Sequence, residues 1–397
     1  MASNFFDETF IVKEEIGHGA FGKIHLGYNR LRKKPVAIKF ESNTTLQNHL
    51  KNEYTIYSGL EGISGIPRVY FYGYKSQSNV MVMDLLGESL ADLITKAPDS
   101  KFSLKTFIML FDQMITLVQL IHERGIIHRN LHPSNFLLGI HENSNQLFLI
   151  DFGIAKCYLD PSTEEHIPYQ VGKEFLGSSQ FVSINTHMGL EQSRRDDLEA
   201  LGYVMIFLMK GTLPWLGITS NRRDLLNEQI LESKLLTSYE SLCEGLPKEF
   251  VDYFKIVRSL QFEDEPPYEY IKDMFQNLFI RQNFVYDYKY DWVADQESPT
   301  KKSKIKDKSK SRNSVHNQLI GNKNLAEVEQ QISRISKRFQ SLALPPLYSN
   351  KNENEEPVKD ERILIPKAVK QKRIMSSMTC DMIVNNMCRK NIKNCKP

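Results

Sequence analysis

Residues 128–135 read HRNLHPSN, and residues 151–153 read DFG. The first run supplies the side-chain amide of Asn135, and the second supplies the carboxylate of Asp151. Amide and carboxylate oxygens are ligands that Mg²⁺ accepts, especially where phosphate oxygens complete its coordination shell. The two runs therefore predict a metal site at Asn135 and Asp151, provided that the chain also contains elements that bind phosphate.

A glycine-rich run near the start of the chain is the first such element. Residues 16–22 read IGHGAFG, so Gly17, Gly19 and Gly22 have the spacing Gly-x-Gly-x-x-Gly. Apolar side chains then alternate with other residues over 23–28, which is the period of a strand. A strand–turn–strand flap brings backbone N–H groups over phosphates with no Cβ in the way. Taken alone, the same run is equally compatible with an ordinary glycine-rich hairpin.

A lysine and a carboxylate follow in the order that a phosphate site needs. Lys39 lies at the end of a strand expected over residues 35–40, and Glu53 lies on a helix expected over residues 46–60. A lysine paired with a carboxylate is held extended, so that its ammonium reaches the α- and β-phosphates of a nucleotide. With the runs quoted above, these residues make five motifs in the order used by protein kinases.

The five motifs together predict an α+β, bilobal protein-kinase-like fold that binds ATP and Mg²⁺ between its lobes. The domain is expected over residues 9–295, with a small strand-rich N-lobe at about 9–86 and a larger helical C-lobe at about 87–295. Further strands are expected at residues 10–12, 69–74 and 80–85, and helices at 104–122, 196–209, 247–260 and 268–279.

Composition excludes several other classes of protein. With 41% hydrophobic and 25% charged residues, the chain has the balance of a globular protein. The longest apolar run, at residues 204–209, is far shorter than the roughly 20 residues of a membrane-spanning helix. Residues 1–10 lack the basic start of a secretory signal. Because five cysteines do not make a disulfide scaffold, we expect an intracellular, reducing compartment, cytoplasmic or nuclear.

Several runs in the body of the chain are similar to one branch of the protein kinases. They read NVMVMDLLG (79–87), KFSLKT (101–106), DQMI (112–115), SINTH (183–187) and EQSRRDDLE (191–199). Over about residues 9–293 the chain resembles the casein kinase I family, in which SINTH stands where most kinases have Ala-Pro-Glu. The resemblance implies a serine/threonine kinase whose protein substrates are acidic or already phosphorylated.

The resemblance also implies roles for individual residues. It places Met83 as the gatekeeper, and it places Asp84 and Leu86 in the hinge that hydrogen-bonds adenine. Asp197, on the helix expected at 196–209, would brace the catalytic loop. The expected nucleotide-binding set is then Ile16, Gly17, Gly19, Gly22, Ile24, Lys39, Glu53, Met83, Asp84 and Leu86.

The chain departs from this family inside the catalytic loop. Where the family has an aspartate that orients the substrate hydroxyl and accepts its proton, this chain has Asn130. An amide cannot take up a proton near neutral pH, and loss of a general base typically costs about 10²–10⁴-fold in rate. His132 stands where the family has the lysine that holds the γ-phosphate, and it is mostly neutral at pH 7 if its pKa lies near about 6.5. Ser134 replaces a further aspartate of the family.

The positions that would bind an anionic substrate are changed as well. In the family, an arginine after the activation loop and a lysine in the next long segment hold the acidic or phosphate group of the substrate. Gln180 and Leu226 stand at these two positions, whereas Lys173 of the same basic set is retained. Replacing a cation by glutamine or leucine removes most of the attraction for an anion.

Two functional hypotheses follow from these observations. The first is a pseudokinase that binds ATP and Mg²⁺, has impaired or absent phosphotransfer, and acts as a scaffold or as a regulator of an active relative. The second is a working but slow serine/threonine kinase, because the loose transition state of phosphoryl transfer asks little of a base. Within the second hypothesis, a neutral His132 is a candidate substitute for the missing base. In both, the partners are ATP and a protein substrate or regulated protein, and we expect a monomer.

The last part of the chain has a different charge from the rest. Residues 301–397 carry 22 basic and 9 acidic side chains, a net charge of +13, which leaves −10 for residues 1–300. Residues 296–397 are therefore expected to form a mostly disordered basic tail. Within it, apolar residues step by three and four over a short amphipathic helix expected at 324–343. That helix would dock either on the body of the chain or on a partner.

The tail also carries signals for location. Its lysines do not alternate with aromatic residues, so sequence-specific binding of nucleic acid is not expected. Cys380, Cys388 and Cys395 lie among basic and apolar residues. Lipidation of these cysteines beside basic clusters would give peripheral association with an acidic membrane surface.

Overall fold

The computed structural model describes residues 2–19, 22–42, 48–160 and 162–292. The basic tail, with its expected helix and its three cysteines, lies outside these residues. The described chain begins with a strand-rich sheet and continues as a mainly helical part. The prediction of an α+β, bilobal kinase-like fold is thereby confirmed.

The N-lobe is built on one antiparallel sheet of five strands. They are β1 (Phe10–Gly19), β2 (Gly22–Asn29), β3 (Lys34–Ser42), β4 (Val69–Lys75) and β5 (Ser78–Asp84). Their order in the sheet is β1-β2-β3-β5-β4. The register pairs Lys39 with Ile24 on one side and with Met81 on the other, so the predicted lysine lies on the central strand.

Two helices flank this sheet. Helix α1 (Ala2–Thr9), which the sequence pattern did not predict, places Phe6 in a core shared with Phe10 and the buried faces of β3 and β5. Helix α2 (His49–Gly59) is capped by Asn48, whose side chain accepts a hydrogen bond from the N–H of Lys51. The described helix starts at His49, three residues after the predicted start.

The C-lobe is mainly helical. Its helices are α3 (Leu90–Lys96), α4 (Leu104–Glu123), α5 (Ile184–His187), α6 (Arg194–Lys210), α7 (Arg223–Leu236), α8 (Tyr239–Leu242), α9 (Lys248–Ser259) and α10 (Tyr268–Arg281). Two short two-stranded sheets flank the loops of the cleft: β6 (Ile126–Ile127) pairs with β9 (Lys156–Cys157), and β7 (Phe136–Leu138) pairs with β8 (Leu147–Leu149). The four helices predicted for this part of the chain are therefore observed, whereas α3, α5, α7 and α8 were not predicted.

Helix α4 is the central helix of the C-lobe. By length and composition alone it could cross a bilayer, but 61% of its most apolar stretch is buried inside the protein. Its Phe111 packs against Phe275 of α10, with ring centroids 4.5 Å apart. The apolar character of α4 is therefore explained by the core that it organises.

Helix α6 brings buried carboxylates under the cleft. Asp196 caps its start by accepting a hydrogen bond of 2.8 Å from the N–H of Ser193, and Gly211 ends it in a left-handed conformation with φ of 73°. Asp197, in the first turn, is buried. The cap therefore fixes where the helix begins, and with it the height of Asp197 below the loop at residues 128–135.

Candidate nucleotide and phosphotransfer site

A buried ion pair joins the N-lobe sheet to α2. Lys39 on β3 donates to Glu53 on α2, with Nζ 2.7 Å from Oε2. The same Nζ lies 3.2 Å from Oδ1 of Asp151. Burial opposes the charge of this ammonium, but the two carboxylates outweigh it and hold the pKa of Lys39 above its ordinary value. Three predicted site residues are thus brought into direct contact around one cation.

Asp151 is fixed by its neighbours in the C-lobe and on α2. Its backbone is left-handed, with φ of 68°, and its N–H donates to Oη of Tyr57 at 3.3 Å. Phe152 packs between the rings of Tyr57 and His128, at centroid distances of 5.1 and 4.9 Å. Burial opposes ionisation of Asp151, but the ammonium of Lys39 outweighs it and lowers the pKa of the carboxyl. Asp151 is therefore ionised at neutral pH and faces the cleft.

Asp197 holds the catalytic loop from below. Its two carboxylate oxygens accept the backbone N–H groups of His128 and Arg129, at 2.7 and 2.8 Å. One of these oxygens also lies 2.8 Å from Nε2 of His122 on α4. Burial opposes the charge of Asp197, but the hydrogen bond from His122 and the backbone bonds outweigh it and lower the pKa of the carboxyl. This geometry gives Asp197 the bracing contacts that the family resemblance implied.

Asn130 occupies the position of the proton acceptor. Its side-chain nitrogen lies 3.5 Å from Oδ2 of Asp151, at the outer limit of a hydrogen bond. Its backbone carbonyl accepts a hydrogen bond of 2.9 Å from the amide of Asn135. The side chain at this position is therefore an amide beside a carboxylate, and it cannot accept a proton at neutral pH.

His132 follows in the same loop and carries no charge. Its ring stacks on that of Phe181, with centroids 6.4 Å apart. Burial lowers the pKa of His132 to about 4, although nearby Asp151 acts in the opposite direction. The imidazole is therefore neutral throughout the physiological range, which goes beyond the sequence-based expectation. Ser134, two residues on, is exposed to solvent.

Asn135 and Asp151 supply a donor set that fits a nucleotide-bound Mg²⁺. Asn135 is buried and uses its Nδ2 on the carbonyl of Asn130, which leaves its oxygen available. Asp151 contributes an ionised carboxylate. Among the described residues, no group of three His, Cys, Asp or Glu side chains could hold a metal by itself. The pair fits Mg²⁺ whose remaining ligands are phosphate oxygens and water, the usual way in which proteins bind this ion.

The glycine flap and β3 lie close together. Gly19 at the end of β1 pairs with Gly22 at the start of β2. A Cβ on Gly22 would lie 1.9 Å from the carbonyl oxygen of Phe40, so only glycine fits this approach to β3. Gly17 has open space around the position of a Cβ. Ile24 pairs with Lys39 across the sheet, whereas Ile16 is exposed at the rim.

The hinge residues lie at the end of β5. Met83 is buried, as expected of a gatekeeper. The carboxylate of Asp84 points away from the cleft and accepts hydrogen bonds from Lys34, Tyr70 and the N–H of Arg68. The side chain of Asp84 is thus occupied behind the hinge, so only its backbone is available to a nucleotide.

The positions expected to bind an anionic substrate carry little free charge. The side-chain oxygen of Gln180 accepts a hydrogen bond of 3.2 Å from the hydroxyl of Ser178, and its backbone carbonyl accepts one of 2.8 Å from Nε1 of Trp215. Leu226 packs partly buried against the C-lobe core on α7. Lys173 lies 3.0 Å from the carboxylate of Glu191, which it shares with Lys156. The retained lysine is therefore already paired, so it attracts an anion less strongly than a free cation would.

Lys234 on α7 is a buried lysine for which the sequence patterns gave no expectation, and burial lowers its pKa to about 7. Its Nζ donates to the carbonyls of Ser179 and Val182 at 3.0 and 2.6 Å, and it lies 3.2 Å from Nε2 of His187. Burial and nearby Lys234 lower the pKa of His187 to about 3, so its ring is neutral, and its Nε2 also lies 3.0 Å from the backbone carbonyl of Ser179. These contacts hold the segment that carries Gln180. A single lysine inside an otherwise polar helix gives no sequence signal for this role, because all its acceptors lie far away in the chain.

A comparison with known families agrees with this geometry. The sequence model of the protein kinase domain family matches residues 10–274. Domains of this family generally use ATP and Mg²⁺ and transfer phosphate to protein substrates. The matched span contains the glycine flap, the Lys39–Glu53 pair, the catalytic loop and Asp151. The chain therefore belongs to the protein kinase family.

Proposed function

We propose that this chain is a casein kinase I-like pseudokinase: it binds ATP with Mg²⁺, transfers phosphate weakly or not at all, and regulates or scaffolds a protein partner. The observation that carries the proposal is the side-chain amide of Asn130, 3.5 Å from Asp151, at the position of the proton acceptor. The neighbouring charge that would hold the γ-phosphate is absent as well, because His132 is neutral.

The nucleotide half of the proposal rests on contacts that remain in place. The ammonium of Lys39, on the strand next to β2 of the glycine flap, is held by Glu53 and Asp151. Asn135 and Asp151 together fit a Mg²⁺ ion that is shared with phosphates. These groups bind and orient a nucleotide whether or not its terminal phosphate is later transferred.

The loss of phosphotransfer is expected to be large but not total. Loss of a general base typically costs about 10²–10⁴-fold in rate, and loss of the cation on the γ-phosphate adds to this. Weaker attraction for an acidic substrate follows from Gln180 and Leu226, and from the pairing of Lys173 with Glu191. The substrate preference of the casein kinase I family is therefore not carried over to this chain.

Phosphotransfer from labelled ATP to an acidic peptide tests the first half of the proposal. The wild type is compared with the double variant Asn130→Asp/His132→Lys, and we expect the variant to be faster by at least about 10²-fold. Asn145→Asp is the matched control, since it makes the same amide-to-carboxylate change at an exposed position. Wild-type turnover within about tenfold of the double variant would refute the pseudokinase proposal.

Thermal unfolding with ATP and Mg²⁺ tests the nucleotide half separately. A ligand at about 100 times its Kd stabilises the folded state by about 2.7 kcal/mol, which raises the Tm of a domain of this size by roughly 5–10 °C. We expect this shift in the wild type and its loss in Asp151→Ala. No shift in the wild type would leave only a structural scaffold.

A slow but genuine kinase is the second candidate function. The observation that favours it is the intact contact between Lys39, Glu53 and Asp151, which is the arrangement that an active kinase needs. Positioning and Mg²⁺ would then carry the reaction, with neutral His132 as a candidate proton acceptor. Measurable turnover that His132→Gln abolishes, and that His132→Lys does not restore, would favour this candidate.

A further inference from the structure

A recess behind the hinge is lined by more positively charged side chains than negatively charged ones. It has a volume of about 430 Å³ and lies between the start of β3, β4, residues 84–86 and residues 139–148. We call it the Tyr70 pocket, after the ring against which its cations gather. The polar residues that line it are Arg32, Lys34, Arg68, Tyr70, Asp84, His141 and Asn143. It shares the hinge residues Asp84 and Leu86 with the expected nucleotide-binding set, but Lys39, Glu53 and Asp151 do not line it, so it lies apart from the part of the cleft that would hold phosphates.

Three cations converge on the ring of Tyr70. The guanidinium carbons of Arg32 and Arg68 lie 5.1 and 5.8 Å from its centroid, and Nζ of Lys34 lies 4.6 Å from it. A ring face attracts each cation by about 0.5–1 kcal/mol at exposed sites. The cations also repel one another, because like charges that share a small space are destabilising.

One carboxylate lies within this cluster, and it is already engaged. Asp84 accepts a hydrogen bond of 2.9 Å from Lys34 and a second from the hydroxyl of Tyr70. Burial opposes the charge of Asp84, but the bonds from Tyr70 and Lys34 outweigh it and lower the pKa of the carboxyl. Asp84 therefore balances the positive charge of Lys34, and it does not balance the charges of the two arginines.

The two guanidinium groups are weakly paired. Within the described residues, Arg32 makes no ion pair, and Arg68 has only Glu61, with 4.0 Å between their charged atoms on an exposed surface. An exposed pair of this length contributes little. Two guanidiniums at the mouth of one recess thus offer a charge of about +2 and two planar donor forks, which match a phosphoryl group carrying about −1.5 to −2.

We propose that the Tyr70 pocket binds a phosphorylated side chain of a partner protein. The guanidiniums of Arg32 and Arg68 take the phosphoryl oxygens, and apolar Leu86 and Phe148 in the same recess cover the stem of the bound residue. A bilayer fits this geometry poorly, because the cations gather on one recessed ring and are not spread over a face. The site lies behind the hinge, so it recruits a partner without occupying the nucleotide cleft.

Fluorescence anisotropy with a labelled peptide tests the proposal on the full chain. The probe is a seven-residue peptide with a central phosphoserine between alanines, beside its phosphotyrosine and unphosphorylated forms. We expect at least one phosphorylated form to bind, with affinity that weakens as salt rises, and the unphosphorylated form not to bind. The double variant Arg32→Gln/Arg68→Gln should lose affinity by roughly tenfold or more.

The controls separate this pocket from other sources of anion binding. Arg222→Gln/Arg223→Gln removes two exposed arginines from the region where α7 begins and should leave the affinity unchanged. If the glutamine variant does not fold, Arg32→Lys/Arg68→Lys replaces it. This pair keeps the charge, loses the planar fork, and should bind several-fold more weakly.

Several outcomes would overturn the proposal. One is that neither phosphopeptide binds at millimolar concentration. A second is that binding survives the loss of both arginines, which would place it on the basic tail or elsewhere. A third is that inorganic phosphate competes at the same concentration as the peptide, which would leave a simple anion site. A fourth is that vesicles with phosphatidylserine bind through Arg32 and Arg68 whereas the peptides do not.

Discussion

The two halves of the cleft differ in how much of a kinase site they retain. On the nucleotide side, Lys39 contacts Glu53 at 2.7 Å and Asp151 at 3.2 Å. On the phosphotransfer side, Asn130 offers an amide and His132 a neutral ring. The departures from the casein kinase I pattern therefore fall on the positions expected to act on the transferred phosphate and the attacking hydroxyl. Groups that hold a nucleotide are in place.

The altered half nevertheless keeps its shape. Asp197 accepts the N–H groups of His128 and Arg129 directly before Asn130, so the loop is held by backbone contacts that do not depend on the base. Because the loop keeps its shape, replacing the side chain of Asn130 alone should raise the rate of phosphotransfer.

The single variant Asn130→Asp should raise phosphotransfer most. A carboxylate at this position can accept the proton of the substrate hydroxyl, so we expect a gain of about 10²–10⁴-fold in kcat with little change in the affinity for ATP. Steady-state kinetics with an acidic peptide measure both quantities. An equal gain in Asn145→Asp, far from the loop, would mean that the effect is not local.

The variant Glu53→Gln should weaken nucleotide binding on the side of the cleft where Lys39 contacts Glu53 and Asp151. It removes one of the two carboxylates that hold Lys39, so the ammonium is drawn toward Asp151 and away from the phosphates. We expect the affinity for ATP with Mg²⁺ to fall by roughly tenfold, as for loss of a charge-assisted contact. Titration calorimetry measures it, with exposed Glu142→Gln as the control. An unchanged Kd would show that this pair does not support nucleotide binding.

Protonation of His132 should make the free energy of unfolding depend on pH between about 4 and 6.5. Its pKa is about 4 in the folded protein and near its ordinary value of 6.5 in the unfolded chain. The unfolded chain thus binds more protons between these values, so the free energy of unfolding should rise with pH from about 4 to 6.5, by at most about 1.4 kcal/mol per pH unit. Urea unfolding of the wild type and His132→Gln at several pH values tests this: the variant should show a smaller slope.

Gln180→Arg should have the smallest effect. It restores one cation where the family binds an anionic substrate, at a half-buried surface position. Because such pairs are worth about 0.2–1 kcal/mol, we expect the KM for a phosphorylated peptide to fall by at most about fivefold. Gln180→Met, which has a similar size and no charge, is the control. A larger fall in kcat than in KM would indicate that the substitution disturbs the loop held by Lys234.

Sequence patterns predicted the fold class and most of the strands and long helices. The strands at 35–40, 69–74 and 80–85 and the helix at 104–122 have strong periodicity, and the structure has all of them within a few residues. Helix α7 was missed because Ile230 and Lys234 are its only buried side chains, which is too few to give a helical stripe. Helix α1 was missed because its short length holds too little periodic signal.

The remaining parts of the site depend on contacts between distant residues. Sequence alone placed Asp84 in the hinge, but it could not show that its carboxylate faces Lys34 and Tyr70 on the other side. The depressed pKa of His132 follows from burial beside Phe181, which no local pattern reveals. Motifs thus identify which residues meet, whereas the structure determines which of their charges remain free.

The backbone bonds to Asp197 have a consequence for hydrogen exchange. The amide protons of His128 and Arg129 point into a buried carboxylate at the base of α6, although they belong to a loop. Loop amides normally exchange with solvent by small local openings. These two can exchange only when α6 separates from the loop, so they should be among the slowest in the C-lobe. Their protection would report how firmly the chain keeps the backbone geometry of the loop that carries Asn130 and His132.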